Sequence, residues 1–374
     1  MKILTGIDIP FIPFGGSPII CNDWYSGLPN DIQVRFLTLQ PNDAKYGHWW
    51  TMKDVIFFNV EKKRRTDEFP LYVNELKVEV AKQIKSFEPD IIHCQHLNFG
   101  LSRAFVEVDN LVPKIGICHG TDVQIATRDD FFLENMKYIT QRLDLLHFPA
   151  QKMADSYFRI NPNLKPYVVI PHGISNRAFV KTRKVTYSRL DGALKILYAG
   201  RLTSYKGADI IVEAMKHLDD NFNLTVIGGE DELGYKQKIL HEAHESNSDG
   251  RITFVDHLSQ EELWKRMLHF DVMVFPSRTL EAFSLSTIEA QAMGIPVIYA
   301  NAGGIEDAVG ISGIQIGDNI PRVWANKLKY LRENPEILSK YQKLGFLNAR
   351  KHKLSDIKSV FFKVSRDLIN KSKG

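Results

Sequence analysis

The chain has 374 residues, of which 44% are hydrophobic and 25% are charged, and its formal net charge is +4. This composition is typical of a soluble globular protein and excludes a fibrous repeat or an extended disordered chain. The length exceeds what one hydrophobic core usually organises and favours two domains.

The distribution of charge argues against nucleic acid as a partner. Residues 1–180 contain 20 Lys and Arg against 20 Asp and Glu, so the whole positive excess lies in the second half. The last 24 residues alone contain 7 Lys and Arg against 2 Asp. A basic C-terminal helix of this kind is most often a solvated face rather than a basic patch that contacts bases.

The three cysteines, Cys21, Cys94 and Cys118, are odd in number and widely spaced. They predict neither a disulfide framework nor a zinc site, and we expect a cytoplasmic protein. The N-terminus has an acidic residue at Asp8 and predicts a first strand rather than a signal peptide. No stretch reaches the roughly 18 apolar residues of a membrane-spanning helix, so we expect at most peripheral contact with a membrane.

The first half of the chain alternates between apolar runs of strand length and helical patterns, which is typical of an α/β domain with a largely parallel sheet. One helix is indicated by the spacing of Leu76, Val80, Ile84 and Phe87. The predicted strands are Ile3–Ile7, Val34–Leu39, Val55–Asn59, Ile91–Cys94, Ile115–Cys118, Leu145–Phe148 and Tyr167–Ile170.

The alternation stops in the polar segment after Pro171 and restarts at Ile196, which predicts a second doubly wound domain. Its six predicted strands are Ile196–Ala199, Leu224–Ile227, Ile252–Val255, Val272–Phe275, Pro296–Tyr299 and Ile314–Ile316. The chain ends in an amphipathic helix whose predicted apolar face is Ile357, Val360, Val364 and Leu368. We therefore predict domains at residues 1–180 and 181–352, followed by a C-terminal helix at 353–374.

Two motifs of the first domain follow predicted strands. Gly15 and Gly16 come after the first strand, where most glycine pairs are simply turns. His119 comes after the fifth strand and is followed by a glycine. A histidine at the carboxyl end of a strand can face a ligand and exchange hydrogen bonds near neutral pH, although most histidines are structural or solvated.

The sequence GRLTSYKG, residues 200–207, follows the first strand of the second domain. Gly200 lets the backbone approach a ligand closely, and Arg201 and Lys206 can converge on a diphosphate from one strand-to-helix turn. The alternative interpretation is a surface loop with two solvated cations.

The segment Pro276–Gly304 predicts a strand end, a polar loop, a helix that begins near Leu285, and another strand. Its loop and helix carry two carboxylates, Glu281 and Glu289. A helix N-terminus at the carboxyl edge of a parallel sheet attracts an anion, and carboxylates bind hydroxyl groups, so the segment suits an anionic, hydroxyl-rich ligand. The alternatives are a surface acid for Glu281 and, for Glu289, a capping box with Ser286.

Glu281, seven residues, Glu289 and then Ala-x-Ala-x-Gly-x-Pro-Val at 290–297 resemble the signature of the retaining nucleotide-sugar glycosyltransferases of family 4, the glycogen-synthase-like group. The resemblance implies the GT-B fold, in which two Rossmann-like domains face each other across a cleft and the C-terminal helix returns to the first domain. The second domain carries most of it, and Ser284 stands where the family usually has glycine.

The resemblance also implies roles for individual residues. Arg201 and Lys206 would hold the diphosphate of the donor, Glu281 the hydroxyls of its sugar, and Glu289 those of its ribose. His119 would contact the donor sugar. Gly15 and Gly16 would form a loop beside the donor phosphate or the acceptor. The remaining residues expected to line the donor site are Gly200, Gly228, Phe283, Ser284, Leu285 and Ser286.

The mechanism implied by the resemblance needs neither a cofactor nor a metal ion, and the sequence contains neither a metal-ligand spacing nor an Asp-x-Asp motif. A leaving phosphate oxygen would take the proton of the acceptor hydroxyl. Family frequency favours a uridine diphosphate hexose or N-acetylhexosamine as donor. The acceptor would be a sugar, a cyclitol or another glycoside.

Two other functions compete with this hypothesis. One is a nucleotide-sugar-binding partner subunit without catalysis, which retention of all four residues Arg201, Lys206, Glu281 and Glu289 disfavours. The other is a dinucleotide dehydrogenase, disfavoured because no Gly-x-Gly-x-x-Gly follows either first strand. The aromatic-rich segment that contains Trp24, Tyr46, His48, Trp49 and Trp50 suits either stacking on an acceptor or a core role.

Overall fold

The computed structural model describes residues 1–12, 15–40, 49–63, 67–181, 192–230, 232–245 and 248–373. The chain forms two compact units, which we call unit 1 (Met1–His172 with Asp356–Gly374) and unit 2 (Gly173–Ser355). Each unit contains one sheet whose strands are all parallel. The prediction of two α/β domains, each with a parallel sheet, is therefore confirmed.

Unit 1 has a seven-stranded sheet in the order β3-β2-β1-β4-β5-β6-β7. Each of the seven apolar runs predicted in this part of the chain supplies one strand. The strands are β1 (Lys2–Pro10), β2 (Gln33–Leu39), β3 (Asp54–Phe58), β4 (Ile91–Gln95), β5 (Lys114–Ile117), β6 (Leu145–Phe148) and β7 (Tyr167–Val169). The helices between them are α1 (Gly16–Tyr25), α2 (Phe69–Phe87), α3 (Gly100–Glu107), α4 (Thr121–Ala126), α5 (Asp130–Thr140) and α6 (Gln151–Ile160).

Unit 2 has a six-stranded sheet in the order β10-β9-β8-β11-β12-β13. The strands are β8 (Leu194–Ala199), β9 (Phe222–Ile227), β10 (Ile252–Val255), β11 (Val272–Phe275), β12 (Val297–Ala300) and β13 (Ile314–Ile316). The helices are α7 (Ala208–Ala214), α8 (Tyr235–Glu245), α9 (Gln260–Met267), α10 (Leu285–Ala292), α11 (Gly304–Val309), α12 (Pro321–Glu333) and α13 (Pro335–Ala349). In both sheets the strand order reverses beside the first strand, and parallel sheets bind ligands outside the strand ends at such a point.

The C-terminal helix α14 (Leu354–Lys373) packs on unit 1 along its last eighteen or so residues, so the helix does return to the first domain. Its predicted apolar face is correct at Ile357, which is buried, and wrong at Val360, which is half exposed while Phe361 and Phe362 are buried. The ring of Phe361 lies 4.3 Å from that of Trp24. Aromatic side chains bury more apolar area than valine, and they therefore set the rotation of the helix.

The segment after His172 belongs to unit 2, although we predicted the domain boundary at 180/181. The backbone N–H of Ile174 donates to the carbonyl of His352 at 2.8 Å, and that of Leu354 donates to the carbonyl of Ile174 at 2.9 Å. These bonds tie the first residues of unit 2 to its last ones. Sequence composition does not report such a long-range pairing.

The three cysteines are all described, and each is a buried free thiol. Among the helices that the structure describes, none is long and apolar enough to cross a membrane.

Candidate functional site

The loops after β8 and β9 touch each other at the carboxyl edge of the unit 2 sheet. A Cβ on Gly228 would lie only 1.9 Å from the carbonyl oxygen of Gly200, so this contact requires glycine. The N–H of Leu202 donates to the carbonyl of Gly229 at 2.9 Å. Gly200 and Gly228, both predicted to line the donor site, thus lie side by side.

The loop after β8 is also joined to the loop after β11. Gly207 has a φ of +75°, and a Cβ there would lie 2.2 Å from the carbonyl oxygen of Pro276. The backbone N–H of Arg278 donates to the carbonyl of Tyr205 at 2.8 Å. The guanidinium of Arg278 donates two hydrogen bonds to the carboxylate of Asp209, at 2.7 and 2.8 Å. These contacts fix the turn that carries Arg201 and Lys206 against the loop that carries Glu281.

Lys206 and Glu281, which are 75 residues apart in the chain, form an ion pair at this place. The Nζ atom of Lys206 lies 2.6 and 2.8 Å from the two carboxylate oxygens, and Ser277 donates to Oε1 at 2.7 Å. Burial alone would raise the pKa of Glu281, but Lys206, Ser277 and Arg201 outweigh it and lower that pKa below its usual value. Glu281 is thus an ionised carboxylate and not a solvated surface acid.

The backbone of Glu281 is itself held by the loop after β12. Its N–H donates to the carbonyl of Ala302 at 3.0 Å, and its carbonyl accepts from Gly304 at 2.9 Å. A Cβ on Gly304 would lie 2.1 Å from the carbonyl oxygen of Ala282, so the loops approach as closely as backbone allows. Glu281 therefore has little freedom to leave Lys206.

Helix α10 begins at Leu285, as predicted, and Ser284 precedes it in the left-handed conformation with φ +66° and ψ +81°. Glycine adopts this conformation without strain, whereas a residue with a Cβ does so at a cost. The serine therefore adopts a conformation that glycine favours, at a position where the resemblance leads us to expect glycine. Phe283 beside it is buried, and its ring lies 5.3 Å from that of His352.

Replacing Ser284 by glycine is expected to raise the free energy of unfolding by up to about 1 kcal/mol. Relief of the left-handed strain, about 1 to 2 kcal/mol, slightly exceeds the entropy that glycine adds to the unfolded chain. Ser284→Val is expected to lower stability, because a β-branched residue fits this conformation poorly. Thermal unfolding followed by circular dichroism measures both. A Ser284→Gly variant less stable than wild type by more than 1 kcal/mol would contradict the strain.

Glu289 does not cap its own helix. Because α10 begins at Leu285, Ser286 lies inside the first turn, and the residue at the capping position is Ser284. The Oε1 atom of Glu289 instead accepts from the side chain of Gln260 on α9 at 2.6 Å, and Glu289 is 5% exposed. The Ser286–Glu289 capping box, our alternative interpretation, is therefore wrong.

A true capping box lies at Ser259 and Glu262. Ser259 accepts from the N–H of Glu262, and the carboxylate of Glu262 accepts from the N–H of Ser259 at 3.0 Å. This box starts α9 and so places the next residue, Gln260, against Glu289.

In unit 1, Gly15 and Gly16 form the start of α1. Gly15 has a φ of +83° and occupies the position before the helix, and Gly16 is its first residue. The pair therefore opens the helix that follows β1, and its contact with a donor phosphate or an acceptor stays a prediction. Phe14, which precedes them, lies outside the described residues.

His119 lies after β5, at the same carboxyl edge, and is 8% exposed. Its Nε2 atom is 2.8 Å from Oε1 of Gln95. Burial, with smaller contributions from His96 and His147, lowers the pKa of His119 well below its usual value, so the imidazole is neutral near pH 7. Among the described residues, Nδ1 of His119 has no hydrogen-bond partner.

The aromatic residues that we considered for stacking on an acceptor lie in different surroundings. Trp24 is 2% exposed within the core, where the alternative interpretation placed it. Trp49 donates from its indole nitrogen to the carbonyl of Phe11 at 2.9 Å, and Trp50 packs its ring 5.8 Å from that of Phe11. Tyr46 and His48 lie outside the described residues.

Several residues that hold the site together were not predicted from the sequence, namely Ser277, Arg278, Asp209, Gln260 and Gln95. Ser277 and Arg278 lie within the segment that we singled out, and their position directly after β11 was the available signal. The other three act through partners far away in the chain, so no local pattern marks them. In the part of the chain that the structure describes, no group of three or more His, Cys, Asp or Glu side chains could hold a metal ion.

Two family models match most of the chain. Residues 14–176 match the model described as Glycosyltransferase Family 4, and residues 183–350 match the model described as Glycosyl transferases group 1. The chain is 33% identical over 138 residues to a D-inositol 3-phosphate glycosyltransferase of Xylanimonas cellulosilytica, which covers 36% of this chain and 32% of that protein. It is 27% identical over 344 residues to a glycosyltransferase of Methanocaldococcus jannaschii, covering 90% of each.

Solved structures share the fold. A sucrose-phosphate synthase from Thermosynechococcus elongatus superposes with a TM-score of 0.82 at 21% identity and covers 99% of each chain. Anabaena HepE in complex with UDP and glucose gives a TM-score of 0.79 at 16% identity and covers 98% of this chain and 99% of that one. The match to the inositol phosphate enzyme of Xylanimonas, by contrast, spans about a third of that relative's length.

Proposed function

The chain belongs to the family 4 glycosyltransferases with the GT-B fold, and from this membership we propose that it is a retaining enzyme that uses a nucleotide-diphosphate sugar. It transfers a hexose or N-acetylhexosamine to a hydroxyl of a sugar, cyclitol or other glycoside. The observation that supports this most is the ion pair of Lys206 and Glu281 at the point where the strand order of unit 2 reverses.

The ion pair places side by side a cation that can bind the diphosphate of a nucleotide sugar and a carboxylate that can bind its sugar hydroxyls. Lys206 and Arg201 bind the diphosphate and stabilise the negative charge that develops on it as the sugar departs. The N-terminus of α10 adds backbone N–H groups and the positive end of a helix dipole. Glu281, held ionised beside Lys206, accepts hydrogen bonds from hydroxyls of the sugar.

Glu289 accepts hydrogen bonds from the ribose hydroxyls. It is nearly buried, and its Oε1 atom accepts from Gln260 in the bond described above. A carboxylate has about four lone-pair sites, so the same group can accept from Gln260 and from a ligand hydroxyl.

His119 acts as a neutral group in this mechanism. Its lowered pKa prevents it from being a general acid or a cation near pH 7, so it contributes a hydrogen bond to a substrate hydroxyl. A leaving phosphate oxygen takes the proton of the acceptor hydroxyl as the new glycosidic bond forms.

We favour uridine as the base and a hydroxylated ring as the acceptor. Solved complexes of HepE contain UDP together with glucose, and several sequence relatives act on D-inositol 3-phosphate. The backbone contacts around Gly200 and Gly228 suit close approach of a nucleotide.

A panel of nucleotide sugars tests the proposal in one experiment. With excess chelator present, we expect a UDP-hexose or UDP-N-acetylhexosamine to raise the melting temperature; at 100 times its Kd a ligand stabilises by about 2.7 kcal/mol. The same donor should be hydrolysed slowly, or transferred when an acceptor is supplied. Stabilisation that needs magnesium or manganese would overturn the metal-free mechanism. A donor that binds and never turns over would indicate a binding subunit without catalysis.

A further inference from the structure

A chain of buried hydrogen bonds runs through unit 1 from the C-terminal helix to His119. It begins at Ser365 on α14, whose Oγ lies 3.1 Å from Nε2 of His93. The Nδ1 atom of His93 lies 3.0 Å from the hydroxyl of Tyr25, which in turn lies 2.8 Å from Nε2 of Gln95. The other end of that amide, Oε1 of Gln95, is the atom that meets Nε2 of His119 at 2.8 Å.

A residue on α14 determines which atoms donate in the first hydrogen bonds of this series. The hydroxyl of Ser365 donates its single proton to the carbonyl of Phe361, four residues earlier, at 3.1 Å. Its oxygen must therefore accept from His93, which places the proton of that imidazole on Nε2. His93 is neutral, because burial lowers its pKa to about 3, so Nδ1 is an acceptor and Tyr25 donates to it.

A residue on β1 determines which atom of the Gln95 amide donates and which accepts. Thr5 donates its hydroxyl proton to the carbonyl of His93 at 2.8 Å, so its oxygen accepts from Nε2 of Gln95 at 3.0 Å. The amide nitrogen of Gln95 thus donates to both Thr5 and Tyr25, and Oε1 is left to accept from His119. If all these hydrogen bonds were donated in the opposite direction, the bonds that Ser365 and Thr5 donate to the carbonyls of Phe361 and His93 would be lost.

We propose that a set of positioning residues holds His119 as the Nε2–H tautomer with an unprotonated Nδ1; they are Ser365, His93, Tyr25, Thr5 and Gln95. That Nδ1 atom is buried and has no partner among the described residues. It is a hydrogen-bond acceptor and can accept from a hydroxyl group of a substrate. The effect of this hydrogen bond on kinetics rests on the function proposed above. The tautomer decides whether the proton of that hydroxyl points toward His119 or away from it.

Nuclear magnetic resonance of ¹⁵N-histidine-labelled protein tests the tautomer directly, with the His119 signals assigned from a His119→Gln variant. In wild type we expect a protonated-type shift for Nε2 and an unprotonated-type shift for Nδ1. The double variant Thr5→Val/Ser365→Ala removes both hydroxyls that set the direction of the hydrogen bonds, so the two shifts of His119 should move toward each other as both tautomers become populated. Ser372→Ala is the matched control, because Ser372 also donates to a helix carbonyl on α14 but is exposed.

Kinetics give a second readout. For Thr5→Val/Ser365→Ala we expect kcat/KM for the nucleotide sugar to fall roughly two- to tenfold, the scale of one hydrogen bond, with unchanged affinity for the free nucleoside diphosphate. If this double variant fails to fold, Gln95→Leu removes the oxygen that accepts from His119 and should give the same spectra.

A wild-type His119 protonated on Nδ1, or unchanged His119 shifts in folded Thr5→Val/Ser365→Ala, would overturn the proposal. Absence of turnover with every donor would contradict the proposed function alone, because the spectra do not depend on activity.

Discussion

Replacing Lys206 by alanine is expected to lower kcat/KM for the nucleotide sugar by about 100- to 1000-fold, the usual cost of removing a group that stabilises charge in the transition state. Lys206 is placed for this role because the loops after β8 and β11 hold it at the carboxyl edge of the sheet. Its Nζ atom is already engaged by Glu281, so it needs no reorganisation before it meets a diphosphate.

The same substitution also affects stability, and the two effects have to be separated. Without Lys206, the carboxylate of Glu281, whose side chain is 13% exposed, keeps Ser277 but loses its cation. An unsatisfied group of this kind costs about 1 to 3 kcal/mol. For a domain of this size that corresponds to a lower melting temperature by roughly 2 to 4 °C for each kcal/mol.

The double variant Lys206→Ala/Glu281→Gln distinguishes a catalytic from a structural pair. Glutamine removes the uncompensated charge, so the melting temperature should recover while kcat/KM stays low. Lys238→Ala serves as the control, because Lys238 forms an exposed pair with Glu242 on α8, is 59% exposed, and should change neither quantity measurably. Recovery of activity together with stability in the double variant would leave the pair a purely structural role.

The strands of both sheets were predictable because parallel strands are buried on both faces and appear in the sequence as continuous apolar runs. The run Val272–Phe275, for example, forms β11 with the predicted bounds, and every residue in it is buried. Helix rotation was less predictable. On α14 the valine at 360 fits the helical spacing as well as its neighbours do, and only the packing partner Trp24 selects Phe361 instead.

The arrangement of the site was predictable where glycines and charged residues lie in loops that follow strands, as at Gly200, Lys206 and Glu281, and the roles of these residues stay predictions. It was not predictable where a side chain meets a partner from another loop. Ser-x-x-Glu occurs at both 259–262 and 286–289, yet only the first pair caps a helix. The difference arises because Ser284 turns into the left-handed conformation and starts α10 earlier than the motif suggests.

Replacing Glu289 by glutamine is expected to weaken binding of the free nucleoside diphosphate about tenfold or more. Losing a charge-assisted bond to the ribose hydroxyls costs about 1 to 3 kcal/mol in a desolvated site. The amide oxygen of the new glutamine still accepts from Gln260, so the contact between α9 and α10 is kept. The melting temperature should therefore stay within about a degree or two of wild type.

Two further glutamate variants make this result specific, and calorimetry at one salt concentration measures all three. Glu281→Gln should bind the free nucleotide normally while turnover falls, because its partner is the sugar. Glu262→Gln should behave as wild type, since glutamine also serves in a capping box. Equal nucleotide affinity of wild type and Glu289→Gln would mean that Glu289 merely receives the bond from Gln260, and the ribose assignment would then have to be abandoned.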